Sequence, residues 1–277
     1  MLNAVLLAYL RHMPIEQGKG RLARLVRSQD LPATTLFTAR SGVRYDLDLG
    51  EYLQRNLYVF GDYERNTLRH VRRLLQPGWT VVDVGGNVGF HALEMAQVCH
   101  PGRVVSFEPN PPALERFRKN LALNPHLDNI ELVACGVSDR PGSLTLSYNQ
   151  GNLGTASAFG TSSLHSEVPV DTLDDLLEQR GIRSVDLLKV DIEGGEMAAL
   201  KGALRTIGRS PNMVLVTEII DEHCKRAGYS GDVLFRFIRS LGFKAYLPKP
   251  WPSALRETTT YDPGYFDNMI FLRGVRP

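Results

Sequence analysis

Cysteine is scarce and scattered in this chain. Cys99, Cys135 and Cys224 are the only three, and their odd number and wide spacing suit neither a disulfide framework nor a zinc site. The pattern points to a reducing, cytoplasmic setting. Long apolar runs are missing too. The segment from Ala4 to Leu10 is too short to cross a bilayer, has no basic stretch before it and no small-residue cleavage site after it. Neither stable membrane insertion nor a leader is expected. Charge of one sign is also lacking: a formal net charge of +2 supplies no electrostatic footprint for nucleic acid, which is not expected as a partner. There is no internal repeat and no low-complexity tract.

What is present suffices for a large core. The chain has 277 residues, 43% hydrophobic and 22% charged, enough for one domain with an extension. Its charge is uneven: the first 73 residues carry twelve Lys/Arg against seven Asp/Glu. Such a region is a solvated basic face or, less in keeping, a contact for a membrane surface or an anionic acceptor, for example a phosphate that the acceptor carries. Residues 1–60 read as an N-terminal cap. It comprises an amphipathic segment, with Leu22, Leu25 and Val26 on one face and Arg21, Arg24 and Arg27 elsewhere, followed by a β-hairpin. The hairpin is predicted from alternation in Thr34 to Thr38 and Val43 to Leu49 around Ser41-Gly42. A helical run through Leu68, Val71, Leu74 and Leu75 then stops at Pro77-Gly78.

From Trp79 onward, strand and helix patterns alternate, which predicts an α/β sheet over residues 61–277. The stretch that organises it is Thr80 to Gly89. Val81, Val82 and Val84 suit a buried parallel strand, Gly85 and Gly86 a sharp turn, and the run from Gly89 a helix whose free N–H groups face the turn. Glycines here would also serve a tight turn alone. The context argues for more. Val104 to Phe107 forms a second strand ending in Glu108, roughly twenty residues past the last glycine, where an acid can accept from both hydroxyls of a ribose. A third strand, Ile130 to Ala134, runs on to Asp139.

The alternation breaks between Leu144 and Val170. A Gly, Ser and Thr-rich stretch, about 149–166, reads there as a lid insertion that includes His165. A helix capped by Asp171 or Thr172 follows, then a fourth strand, Val185 to Val190, which delivers Lys189, Asp191, Glu193 and Glu196 at the start of another helix. A helix dipole favours such carboxylates, but so many ionisable groups at one strand exit also mark a site. Met213 to Thr217 forms a fifth strand that ends in Glu218, with His223 close behind. Phe243 to Tyr246 and Asn268 to Leu272 close the chain around an irregular loop containing Pro250, Trp251 and Pro252.

Four pieces carry a resemblance: Gly61-Asp62-Tyr63-Glu64, Val82 to Gly89, Phe107-Glu108-Pro109, and Leu188 to Glu196 with its K-x-D-x-E-G-x-E pattern. Together they resemble the FkbM family of class I S-adenosylmethionine-dependent methyltransferases, over about Tyr45 to Leu272. Gly86 departs from the alanine common there. The resemblance implies a seven-stranded, mostly parallel sheet with its last strand antiparallel. It also implies methyl transfer from S-adenosylmethionine, usually to a hydroxyl of a sugar, polyketide or other small molecule or glycan. It places Asp83 and Gly85 by the cofactor's methionine portion, Glu108 at the ribose and Asp139 at the adenine amino group, with Asn87, Gly89 and Asp191 also among the cofactor-binding residues. Tyr63 and Glu64 would cover the cofactor.

An alcohol acceptor must lose a proton. Asp191 is the leading base, with His223 and Glu218 behind it, and Lys189 orients a carboxylate or polarises the acceptor. Asp191, Glu193 and Glu218 are also a conceivable Mg2+ set of hard oxygen ligands, not favoured over a metal-free site. His91, beside the glycine loop, reads either as a cofactor contact or, in preference, as a helix-surface residue. A nicotinamide dehydrogenase would prefer G-x-G-x-x-G, and a nucleic-acid methyltransferase would want Asn/Asp-Pro-Pro-aromatic after the fourth strand; here Asn110-Pro111-Pro112 follows the second. A non-catalytic binder of the same cofactor is a further alternative, against which the intact acidic cluster argues.

Overall fold

The computed structural model describes residues 2–12, 19–23, 25–26, 31–249, 254–265 and 268–277. Arg24 and Arg27, and the late-loop residues Pro250, Trp251 and Pro252, lie outside the described residues. Helices α1 (Leu2–His12) and α2 (Lys19–Ala23) precede a hairpin of β1 (Thr34–Thr38) and β2 (Arg44–Asp48). Its antiparallel register runs from Thr34↔Asp48 to Thr38↔Arg44, as the alternation predicts. Helix α3 (Tyr52–Phe60), which no clear apolar pattern announced, starts where Glu51 accepts from Gln54 N–H and ends at Gly61, at φ 75°. Helix α4 (Arg65–Leu74) follows.

The central layer then builds up through β3 (Thr80–Val84), α5 (Phe90–Cys99), β4 (Arg103–Phe107), α6 (Pro111–Ala122) and β5 (Ile130–Val133). A second, smaller sheet interrupts it: β6 (Gly136–Ser138), β7 (Gly142–Asn149), β8 (Asn152–Ser157) and β9 (Leu164–Thr172), in the order β6-β9-β7-β8. The stretch expected as a long lid loop is thus largely strand. Its Thr and Ser residues fit a pleated edge as well as they fit a loop.

The chain returns through α7 (Leu173–Glu178), capped by Thr172, then β10 (Leu187–Val190), α8 (Glu196–Lys201), α9 (Leu204–Arg209) and β11 (Met213–Glu218). It finishes with α10 (Asp221–Arg226), α11 (Gly231–Ser240), β12 (Lys244–Pro248), β13 (Leu255–Thr258) and β14 (Asn268–Arg273).

The large sheet has the order β13-β12-β14-β11-β10-β3-β4-β5. β14 is antiparallel to β11 and β12, whereas β11, β10, β3, β4 and β5 run parallel. The seven expected strands are therefore present with the last reversed, and β13 adds an eighth at the edge, inside the stretch expected to be irregular. Alternate residues face opposite layers. Val81, Leu187, Val214, Val216 and Ile270 pack towards α5 and the hairpin, while Val82, Leu188, Leu215 and Phe271 pack towards the layer of α7 to α11.

The hairpin is bound to α6 and to the turn that follows it as if to another strand. Asn120 Oδ1 accepts from Asp46 N–H at 2.8 Å, and Asn124 Oδ1 accepts from Arg44 N–H at 2.9 Å. Beneath it the buried Glu94 accepts from Ser41, Tyr45 and Arg72. No helix among the described residues is long and apolar enough to cross a membrane.

Candidate active site

The carboxyl ends of β3, β4, β10 and β11 open into one cavity of about 520 Å3, roofed by β8 and walled by Leu144, Leu146, Val168 and Val170 of the second sheet. The placement follows from parallel topology, in which strand exits gather at one edge. Among the described residues, Glu64, Asn87 and Glu193 are the three non-glycine residues with left-handed backbone, at φ 42°, 48° and 55°, and all three line this cavity. Such conformations persist where the surroundings over-determine them.

The glycine turn is demanded by close packing. A Cβ on Gly85 would stand 2.0 Å from the Asp191 carbonyl oxygen, one on Gly86 2.1 Å from Ser106 Oγ, and one on Gly89 2.5 Å from the Phe117 ring. The turn is thereby pressed against the β10 exit. It also brings Asn87 N–H to Glu108 Oε2 at 2.6 Å, while Asn110 N–H donates to Oε1 at 2.7 Å. Burial pushes the Glu108 carboxyl up, and these two N–H groups hold it back, leaving it at about 7.

Lys189 lies at the centre of the opposite side. It is 2% exposed, donates to Asp191 Oδ2 at 3.0 Å, and stands 3.8 Å from Asp83 Oδ1. Burial would lower the ammonium, but Asp191, Asp83 and Glu64 outweigh it and hold the lysine charged. Asp83 is fully buried behind the wall, accepting from Ser106 Oγ at 3.1 Å; neither Asp83 nor Gly89 lines the cavity. Tyr63, Glu64, Gly85, Asn87, Glu108, Asp139, Lys189, Asp191, Glu193 and Glu218 all do.

His91 is not on a helix surface. It is 6% exposed, lines the cavity, and meets Glu64 Oε2 through Nε2 at 3.0 Å. Burial alone would raise the Glu64 carboxyl, but His91 and then Lys189 bring it down to about 2. Asn268 Nδ2 donates to the same oxygen at 2.8 Å. The preferred helix-surface reading of His91 fails because its partner comes from a loop 27 positions away. Leu53 is a wall residue to which nothing in the sequence pointed, while Asn152 to Ala156, inside the stretch expected as a lid, do line the cavity.

His223 does not line the cavity. It stands behind the wall with Nδ1 2.7 Å from Glu193 Oε2, a contact that raises its imidazole. Glu193, Glu218 and His223 are the group of potential metal ligands that the described residues bring within 4.8 Å of one another. Asp191, expected in that set, is turned to Lys189 instead. His165 lies on β9, exposed and away from the cavity wall.

Burial, then Asp191, Glu193 and Glu64, push the Glu218 carboxyl up to about 9. A carboxyl raised in the folded state favours folding fully below its unfolded value near 4.5, and that stability is lost as pH rises towards 9. Glu218→Gln is therefore expected to melt above the wild type at pH 8 and level with it near pH 4.5. Identical differences at both pH values, read by thermal unfolding, would contradict the raised carboxyl.

The reversed last strand, the glycine turn and the acid at the second strand's end define a class I methyltransferase fold. A family model for the FkbM methyltransferase domain matches residues 83–245, and the chain belongs to the FkbM methyltransferase family. Methyltransferase sdnD of Sordaria araneosa is 29% identical over 154 residues, covering 44% of this chain and 59% of that protein. The 2-O-methyltransferase NoeI of Sinorhizobium fredii is 26% identical over 189 residues, 62% of this chain and 74% of NoeI. The 31-O-demethyl-FK506 methyltransferase FkbM of Streptomyces tacrolimicus is 27% identical over 184 residues, 55% and 68% of the two chains. The chain thus spans less than two thirds of the sdnD protein's length.

Proposed function

We propose that this protein transfers the methyl group of S-adenosylmethionine to a hydroxyl oxygen of a small molecule or glycan. The observation that carries the reading is Glu108, fixed by the Asn87 and Asn110 N–H groups at the mouth of the glycine turn. In the held carboxylate, lone pairs remain for two ribose hydroxyls. Asn87 Oδ1 and His91 Nδ1, on lining residues, are buried without a hydrogen-bond partner, so the wall fits a polar ligand that meets them. The names of NoeI and of the FkbM protein, both describing O-methylation, support the oxygen as acceptor. The three unpaired cysteines support a cytoplasmic setting.

When bound, S-adenosylmethionine supplies a methyl already activated on a cationic sulfur. The wall is suited to that charge: Glu64, Glu108, Asp139, Asp191 and Glu193 line it against Lys189 and Arg140. Alignment of the acceptor is the protein's main task, and Asp191 takes the hydroxyl proton. Lys189 fixes Asp191 through Oδ2, which leaves Oδ1 for the acceptor. Glu218, its carboxyl pushed up by burial and the neighbouring acids, lines the cavity beside them. Asp139 is assigned to the adenine end and Tyr63 to a cover over the cofactor. No metal is required by this arrangement.

Asp191→Asn is expected to lower turnover of an identified acceptor about 10²- to 10⁴-fold while leaving cofactor affinity within a few-fold. Radiolabelled methyl transfer measures it. Unchanged turnover would mean that the proton goes elsewhere.

A further inference from the structure

Strand β8 forms the roof of the cavity, yet its own sheet holds it weakly. It pairs with β7 at Ser147↔Ser157 and Asn149↔Asn152, with a break in register between them. Its ends are secured by side chains and backbone from elsewhere. At the first end, Glu51 is 2% exposed and divides its two oxygens: Oε2 accepts from Gln54 N–H at 2.8 Å, and Oε1 accepts from Leu153 N–H at 3.0 Å. Tyr52 N–H donates to the Gly151 carbonyl at 2.9 Å beside them. At the other end, Ser157 Oγ donates to the Glu193 carbonyl at 2.8 Å.

Between these ties the strand crosses the cavity. A Cβ on Gly154 would stand 2.3 Å from Leu53 Cδ1 and 3.4 Å from Asn87 Nδ2, so the strand passes directly over the glycine turn. Leu53 and Asn152 to Ala156 all face the same space as Glu108 and Asp191. A carboxylate that caps α3 with one oxygen and holds the roof with the other couples the two elements.

We propose that Glu51 is a positioning residue that latches β8 over the cofactor cavity, so that cofactor exchange requires this strap to lift. Its ligand rests on the methyltransferase reading, whereas the latch belongs to the protein alone. Lifting the strap breaks the Glu51 and Gly151 contacts, while the β3 and β10 strands beneath stay paired.

Glu51→Asp separates the two duties, because aspartate is a favoured helix cap but is one methylene too short to hold Gln54 and Leu153 together. In the ligand-free variant, amide hydrogen exchange at residues 153–156 is expected to quicken about tenfold, as for the loss of one hydrogen bond to a charged group, with β3 and β10 unchanged. Release of S-adenosylhomocysteine, followed by displacement with excess S-adenosylmethionine, is expected to quicken by a similar factor. Gly154→Val, which pushes the strap from Leu53 without touching Glu51, should move both readings the same way.

Exchange unchanged in both variants overturns the latch, as does a uniform rise across the sheet. Faster exchange with unaltered release overturns the gate. If the wild type binds neither compound, the methyltransferase reading fails, and exchange still decides the latch.

Discussion

Lys189→Met is expected to cost the fold about 3–5 kcal/mol, the range for leaving a buried charge without its partner. Lys189 lies beside Asp83 in the register of β10 and β3, and both are buried at the middle of the sheet. Asp83 keeps only the Ser106 hydroxyl once the ammonium is gone. Asp191 and Glu64 lose the same cation. Methionine fills a comparable volume, so the effect is electrostatic rather than a cavity. Thermal unfolding should show a fall of roughly 10 °C. The double variant Asp83→Asn, Lys189→Met should regain a large part of it, since the orphaned charge is removed with its partner. Wild-type stability in the single variant would show that this network contributes nothing.

Glu108→Ala is expected to weaken S-adenosylmethionine binding by at least ~100-fold, since two hydrogen bonds to a charged group are lost together. Glutamine should not rescue it. Both carboxylate oxygens of Glu108 accept backbone N–H groups, so an amide nitrogen there would face a donor. With the free carboxyl at about 7, the accepting form is lost as pH falls below neutrality. Wild-type affinity should therefore rise from pH 6 to pH 8, and the alanine variant should lose that dependence. Calorimetric titration at the two pH values reads both effects. Equal affinity in wild type and variant would remove Glu108 from the site.

The parts legible in the sequence are those where one short segment carries the whole signal. Thr80 to Gly89 shows a buried strand, a turn and a helix start within ten residues, and Lys189 to Glu196 crowds its charges at a strand exit. Neither needs a distant partner to be recognised. The α3 helix is different, because its buried face includes the polar Gln54, whose side chain serves Asp48 N–H of the hairpin. Strand β8 reads as a loop because it is an edge strand of small residues. Its decisive contact, Leu153 with Glu51, spans 102 positions. β13 was hidden by its exposure, with too few apolar side chains to show alternation. The same distance effect turned His91 inward towards Glu64, whereas Asp191 turns to Lys189, its neighbour two positions back on the same strand exit, rather than to the expected metal set.

The cavity under β8 is proposed as the S-adenosylmethionine site. Calorimetric titration of the wild-type protein with S-adenosylmethionine at pH 7.5, repeated with S-adenosylhomocysteine present, tests it most directly. One saturable site per chain is expected, with the second compound competing for it. Absence of binding to either compound, in a protein shown to be folded, would contradict it.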